Sequence, residues 1–229
     1  MSGTVVVCGS LGSTSAMWEP QLPALQGHRV VKVEHPGHGG APVTNVQAVD
    51  DLAARVLEQV GSDTFSFVGL SLGGAVGMRL ALAAPGRVGK LVLACTSARF
   101  GEPELWHERA ATVREHGLAA IADAVMSRWF TSDFRDVDRF REMFLSVDAE
   151  GYARCCEAIA RWDVRSDLGE IAAPTLVISA AEDPATPPAM GKVLAAGIAG
   201  ARFEVLANAA HLANAERPDH FNRLLEEHL

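Results

Sequence analysis

Short apolar runs alternate with stretches of helical period along this chain. TVVVC (4–8), RVVKVE (29–34), FSFVG (65–69), KLVLAC (90–95), PTLVIS (174–179) and RFEVL (202–206) read as strands. Most are almost wholly apolar, the pattern of strands covered on both faces of a parallel sheet. Between them, apolar residues recur at helical spacing over roughly 45–60, 73–84, 187–197 and 217–228. This alternation predicts a doubly wound, mostly parallel α/β sheet, with functional loops at the carboxyl ends of its strands.

One interval breaks the alternation. Between 100 and 169 only amphipathic helical pieces occur, near 103–116, 118–130, 135–147 and 149–162. The expectation is a core built from 1–99 and 170–229, with 100–169 inserted as an all-helical lid over the sheet's carboxyl edge. Nine of the 17 arginines fall in this insertion, from Arg109 to Arg165. Most are ascribed to solvated helix faces.

The totals narrow the classes. A chain of 229 residues, 48% of them hydrophobic, suits one domain with a sizeable core. No apolar run approaches the roughly 18 residues that span a bilayer. The opening MSGTVVVCGS has neither a basic leader nor a long apolar segment, so no membrane association and a cytoplasmic location are expected. Twenty basic against 28 acidic residues give a net charge of −8, which argues against nucleic acid as a partner. A small anionic substrate stays open, because a few placed arginines override the bulk sign locally. Cys8, Cys95, Cys155 and Cys156 show no metal-ligand spacing and read as small buried residues.

The candidate chemistry starts at GLSLG (69–73). A serine between two glycines, after a strand and before a helix, has the form of a nucleophile elbow. Ser71 must take a strained backbone so that its hydroxyl projects, and Gly69 and Gly73 remove Cβ atoms from the sharp turn. The Leu72 N–H at the start of the helix then faces developing negative charge. A structural glycine-rich turn is the plain alternative. Ser71 also needs a base. His211, in NAAHLANAERP after the last strand, has the expected position. His35 and His38 follow the second strand and are better explained as loop-stabilising; the other histidines read as surface residues. For the orienting acid, EDP after PTLVIS offers Asp183, preferred over Glu182, with Asp163 and Asp167 as remaining rivals. The small-residue loop CGSLGSTSAMW (8–18) is a source of a second backbone donor.

These residues carry a resemblance. GLSLGG, EDPATPP and AAHLANAERP make the chain resemble the α/β-hydrolases. SLGSTSAMWEPQLPAL (10–25), CTSARFG (95–101), SRWF (127–130) and GYARCCEAIARWDVR (151–165) narrow this to the 3-oxoadipate enol-lactonases of the β-ketoadipate pathway. By position, Ser71, Asp183 and His211 match that family's triad, and Leu11 matches the residue whose N–H joins that of Leu72 in the oxyanion hole. The resemblance implies a five-membered enol-lactone bearing an acetate, opened through an acyl-enzyme with no metal or organic cofactor. A cation for the acetate is sought in the lid: Arg128 first, Arg161 second, with Trp129 as a pocket wall.

Two departures stand out. The family's Asp-x-Arg-Gly-His-Gly turn is EHPGHG (34–39) here, with Glu34 and Pro36 substituted. The chain also starts directly on TVVVC, where the family carries an N-terminal hairpin, so 29–34 is expected at a sheet edge. A homo-oligomer is one cover for that edge. Rival readings are a general carboxylesterase, a carbon–carbon bond hydrolase of the same fold, and a ligand sensor without turnover.

Overall fold

The computed structural model describes residues 3–229. Six strands, β1 (Thr4–Cys8), β2 (Arg29–Val33), β3 (Phe65–Leu70), β4 (Val88–Ala94), β5 (Thr175–Ala180) and β6 (Arg202–Leu206), form one sheet in the order β2-β1-β3-β4-β5-β6. All five pairings are parallel, so the sheet is wholly rather than mostly parallel among the described residues. The chain moves outward from β1 to β2 and then returns to place β3 on the other side of β1. That reversal makes a crevice at the carboxyl ends of β1 and β3. Cys8 and Gly69 are register partners there, so the loops after both strands leave side by side.

Burial explains the composition of the strands. β5 is buried at every position, while the edge strands β2 and β6 each alternate with exposed or half-buried residues such as Arg29, Lys32, Arg202 and Glu204. No strand pairs with the outer edge of β2 among the described residues. Helices α1 (Val49–Val60) and α2 (Leu72–Ala83) pack together, and α2 lies on β3 and β4. α1 starts later than its apolar pattern suggests because the Asp51 carboxylate accepts the N–H groups of Gln47 and Ala48, at 2.7 and 3.1 Å, fixing the start. α2 comes close to the sheet through small residues: a Cβ on Gly74 would lie 2.6 Å from Thr96, and one on Gly77 2.8 Å from Phe67.

Between β4 and β5 the chain is helical: α3 (Pro103–His116), α4 (Ala122–Trp129), α5 (Val137–Leu145) and α6 (Ala149–Ala160). The piece expected over 118–130 divides into a 3₁₀ turn, Leu118–Ile121, followed by α4. α3 packs along α6. An aromatic cluster of Trp129, Phe130, Phe140 and Phe144 joins α4 to α5, and Tyr152 of α6 meets Phe144 edge-on. After β5 come α7 (Pro188–Gly197), the short α8 (Ala213–Glu216) and α9 (Pro218–His228). Among the described residues no helix is long and apolar enough to cross a membrane. All four cysteines are free and buried.

Candidate active site

The turn after β3 is strained at one residue. Ser71 has φ 58° and ψ −114°, a conformation that costs a non-glycine residue about 1–3 kcal/mol. Its surroundings hold it there. The Ser71 N–H donates to the Ala94 carbonyl at 2.9 Å, and the Thr96 hydroxyl donates to the Ser71 carbonyl at 2.7 Å. Any Cβ on Gly69 would collide with the Gly73 carbonyl, and any Cβ on Gly73 with the Cys8 carbonyl. The two glycines that frame Ser71 are therefore required by packing as well as by the turn.

A cavity of about 260 Å³ opens over this corner, and Ser71, His211, Leu11 and Trp129 are all on its wall. His211 follows β6 in the loop before α8. Its Nδ1 lies 2.8 Å from Asp183 Oδ2, with both side chains almost wholly buried. Asp183 is fixed in turn. Oδ1 accepts the N–H groups of Ala185 and Thr186 at 2.8 and 3.0 Å, and Oδ2 accepts the Thr186 hydroxyl at 2.6 Å. Burial works against ionising Asp183, but the His211 ring and these hydrogen bonds outweigh it and hold the carboxyl below its ordinary range. His211 Nε2 lies 3.5 Å from Ser10 Oγ. No hydrogen bond joins His211 to Ser71 among the described residues, although the two share the cavity.

The rival acids sit elsewhere. Glu182 is exposed, Asp163 pairs with Arg165 at 2.6 Å on the surface, and Asp167 accepts the Ser166 hydroxyl.

The loop after β1 is pressed against the elbow by a hydrogen bond from the Gly73 N–H to the Gly9 carbonyl, at 3.0 Å. Neither the Leu11 nor the Leu72 N–H has a hydrogen-bond partner among the described residues. Two histidines clamp the same loop. His35 Nε2 donates to the Gly9 carbonyl at 2.9 Å, and His38 Nε2 accepts the Gly12 N–H at 3.0 Å. Glu34 belongs to this support as well, its carboxylate accepting the Ser15 N–H at 2.8 Å. Pro36 packs on α6, where a Cβ on Gly151 would lie 2.5 Å from its carbonyl oxygen. The departures at Glu34 and Pro36 are thus built into local contacts.

The helical segment between β4 and β5 contributes to the cavity wall, and the end of α4 is tied to the histidine loop. The N–H groups of His211 and Leu212 donate to the carbonyls of Arg128 and Trp129, at 3.4 and 3.0 Å. Glu216 reinforces the joint, accepting from the Ala210 N–H and from the hydroxyl and N–H of Thr131. Trp129 and Arg128 are both on the cavity wall, so neighbouring positions at the end of α4 reach one space despite their divergence on the helix. Arg161 does not reach it. Its guanidinium is exposed and, from the C-cap of α6, donates to the carbonyl of Gln47 just before α1. Among the wall residues, Arg109 and Trp106 lie in none of the motifs singled out in the sequence, and Tyr152 and Thr186 lie within two of them, GYARCCEAIARWDVR and EDPATPP, without a role read for them.

The alpha/beta hydrolase fold model matches residues 3–218. The chain belongs to this family. The hydrolase is 36% identical to 3-oxoadipate enol-lactonase 2 of Acinetobacter baylyi, over 97% of this chain and 86% of that protein. A putative carbamate hydrolase of Agrobacterium fabrum is 30% identical, over 97% of the chain and 92% of its own length. Among solved structures, the enol-lactonase from Burkholderia xenovorans superposes with a TM-score of 0.95 at 38% identity, covering 99% of this hydrolase and 91% of that chain.

Proposed function

We propose that this hydrolase opens 3-oxoadipate enol-lactone to 3-oxoadipate. The observation that carries the reading is the buried Asp183–His211 pair, whose imidazole lies on the wall of the cavity that Ser71 also lines; the similarity to enol-lactonases supports the choice of substrate. His211 takes the Ser71 proton as the oxygen attacks the lactone carbonyl, and the Leu11 and Leu72 N–H groups receive the oxyanion. The ring C–O bond breaks, and its enolate takes the proton from His211. Water, deprotonated by His211, then attacks the acyl carbon, and the Ser71 oxygen leaves with the proton that His211 has taken, which frees the acid. Asp183 keeps the proton of neutral His211 on Nδ1 and stabilises the charged ring. His211 Nε2 swings from Ser10 to Ser71 once substrate is held, in keeping with catalytic hydrogen bonds that tighten only in the complex.

The cavity suits so small a substrate, being below the roughly 300–1,000 Å³ of pockets for drug-sized ligands. The helical segment α3–α6 acts as its lid, with Trp129 as a wall. Comparing turnover of the enol-lactone, p-nitrophenyl acetate and a simple carbamate tests the reading. A dominant kcat/KM for the lactone supports it. Preference for the ester or the carbamate would replace it with an esterase or with the activity named for the carbamate hydrolase relatives.

A further inference from the structure

Arg109 of α3 and Arg128 of α4 form no salt bridge among the described residues, whereas Arg114, Arg139, Arg141, Arg154 and Arg165 of the same helical segment all do. Arg109 and Arg128 both stand on the wall of the Ser71 cavity and on that of an adjoining outer cleft of about 400 Å³. Their settings differ. Arg128 is exposed, whereas Arg109 is half-buried, its guanidinium carbon 5.5 Å from the Trp106 ring centroid and 5.6 Å from that of Tyr152. Aromatic faces attract the cation without using its N–H donors.

Tyr152 supplies the second observation. Its side chain is wholly buried, it is on the cavity wall, and its hydroxyl has no hydrogen-bond partner. A buried hydroxyl without a partner is an exception in folded proteins. Burial pushes the phenol well up, more strongly than the nearby Arg109 charge pulls it down, so it stays a donor. The ring cannot turn aside, being stacked on His38 at 6.4 Å and held edge-on by Phe144 at 5.7 Å. Arg109 can only donate towards the phenol oxygen, so the Tyr152 O–H and the remaining guanidinium donors, side by side in a largely apolar cavity, complement a carboxylate, which has about four acceptor sites to fill.

We infer that Arg109 and the Tyr152 hydroxyl together form the subsite that binds the carboxylate of the substrate, with Arg128 at the cleft outside it. This deepens the lactonase reading and rests on it for the identity of the rest of the molecule. The subsite sets KM and charge preference; it does not touch the bond that breaks.

The test is calorimetric binding of 3-oxoadipate to the wild-type chain and to Arg109→Gln, Tyr152→Phe and Arg128→Gln, with thermal melts to verify folding. Arg109→Gln and Tyr152→Phe are each expected to weaken binding about 10- to 100-fold, as for a hydrogen bond to a charged group. Arg128→Gln is expected to weaken it by less than either. In turnover, the same two variants should lose preference for the acetate-bearing lactone over the enol-lactone with a methyl group in its place, through KM. Undetectable binding to the wild type, unchanged affinity in folded Arg109→Gln and Tyr152→Phe, or a loss confined to Arg128→Gln would each overturn the subsite. A wild type that binds 3-oxoadipate through Arg109 and Tyr152 yet leaves the lactone intact would overturn the lactonase reading and leave the subsite standing.

Discussion

His38 accepts the backbone N–H of Gly12 at 3.0 Å, and this contact fixes the form of its ring. An accepting Nε2 puts the proton on Nδ1, which donates to the Pro36 carbonyl at 2.9 Å. The loop carrying the Leu11 N–H is thus held by neutral imidazoles at both ends, since His35 grips Gly9. Burial lowers the pKa of His35 to about 4 and, together with the neighbouring His35, that of His38 to about 3.

Acid therefore loosens this clamp. Unfolded histidine takes up a proton near pH 6.5, while these two stay neutral in the fold until about pH 4 and 3. Their contribution is fully present above about pH 6.5 and is lost as pH falls through the folded values. Each pH unit between the unfolded and folded values is worth about 1.4 kcal/mol per histidine, so the pair sheds several kcal/mol across that window. Urea unfolding at a series of pH values should show this slope, and a His35→Gln/His38→Gln variant should flatten it. Equal slopes for variant and wild type would contradict the clamp.

Asp183→Asn keeps the shape of the group that meets His211 but removes the charge and favours the wrong tautomer. On the proposed mechanism kcat falls by on the order of 10⁴ while the melting curve changes little. Steady-state kinetics beside a thermal melt check both halves. A loss below about tenfold would show that the carboxylate does not orient the base.

Gly73→Ala places a methyl group on the Cys8 carbonyl. Neither backbone can yield without moving β1 or the elbow, so a destabilisation of about 3 kcal/mol or more is expected. Gly86→Ala, where a Cβ would meet nothing within 4 Å, is the control and should melt close to wild type. Similar melting of both variants would mean that the elbow is less tightly packed than these contacts require.

The parallel sheet was legible because most of its strands are covered on both faces and read as nearly unbroken apolar runs; β1, and also the more polar edge strand β6, fall at their expected residues. The pairing of Asp183 with His211 was legible too, because the two residues follow β5 and β6, which are neighbours in the sheet. Arg109 was not. It is one of nine arginines in the helical segment, with no distinguishing neighbour in sequence, and its role depends on Trp106 in the same helix and on Tyr152, 43 positions later (152 − 109), converging on its guanidinium. Arg161 failed as a candidate for the matching reason: adjacency to Trp162 in sequence says nothing about which side of α6 faces Ser71. Helix-to-helix packing decides such cases, and no local period encodes it. His35 and His38 stabilise a loop, as their place after β2 suggests, but that loop precedes them by about one strand and could be seen only in three dimensions.

That Ser71 is the group that attacks the lactone is the central claim, and one assay tests it most directly. The purified chain and its Ser71→Ala variant are given 3-oxoadipate enol-lactone, and loss of the ring is followed by ultraviolet absorbance. Rapid ring opening by the wild type and none above background by the variant is predicted, with both chains melting alike. Equal turnover by the two proteins, or an intact lactone in the presence of the folded wild type, would contradict it.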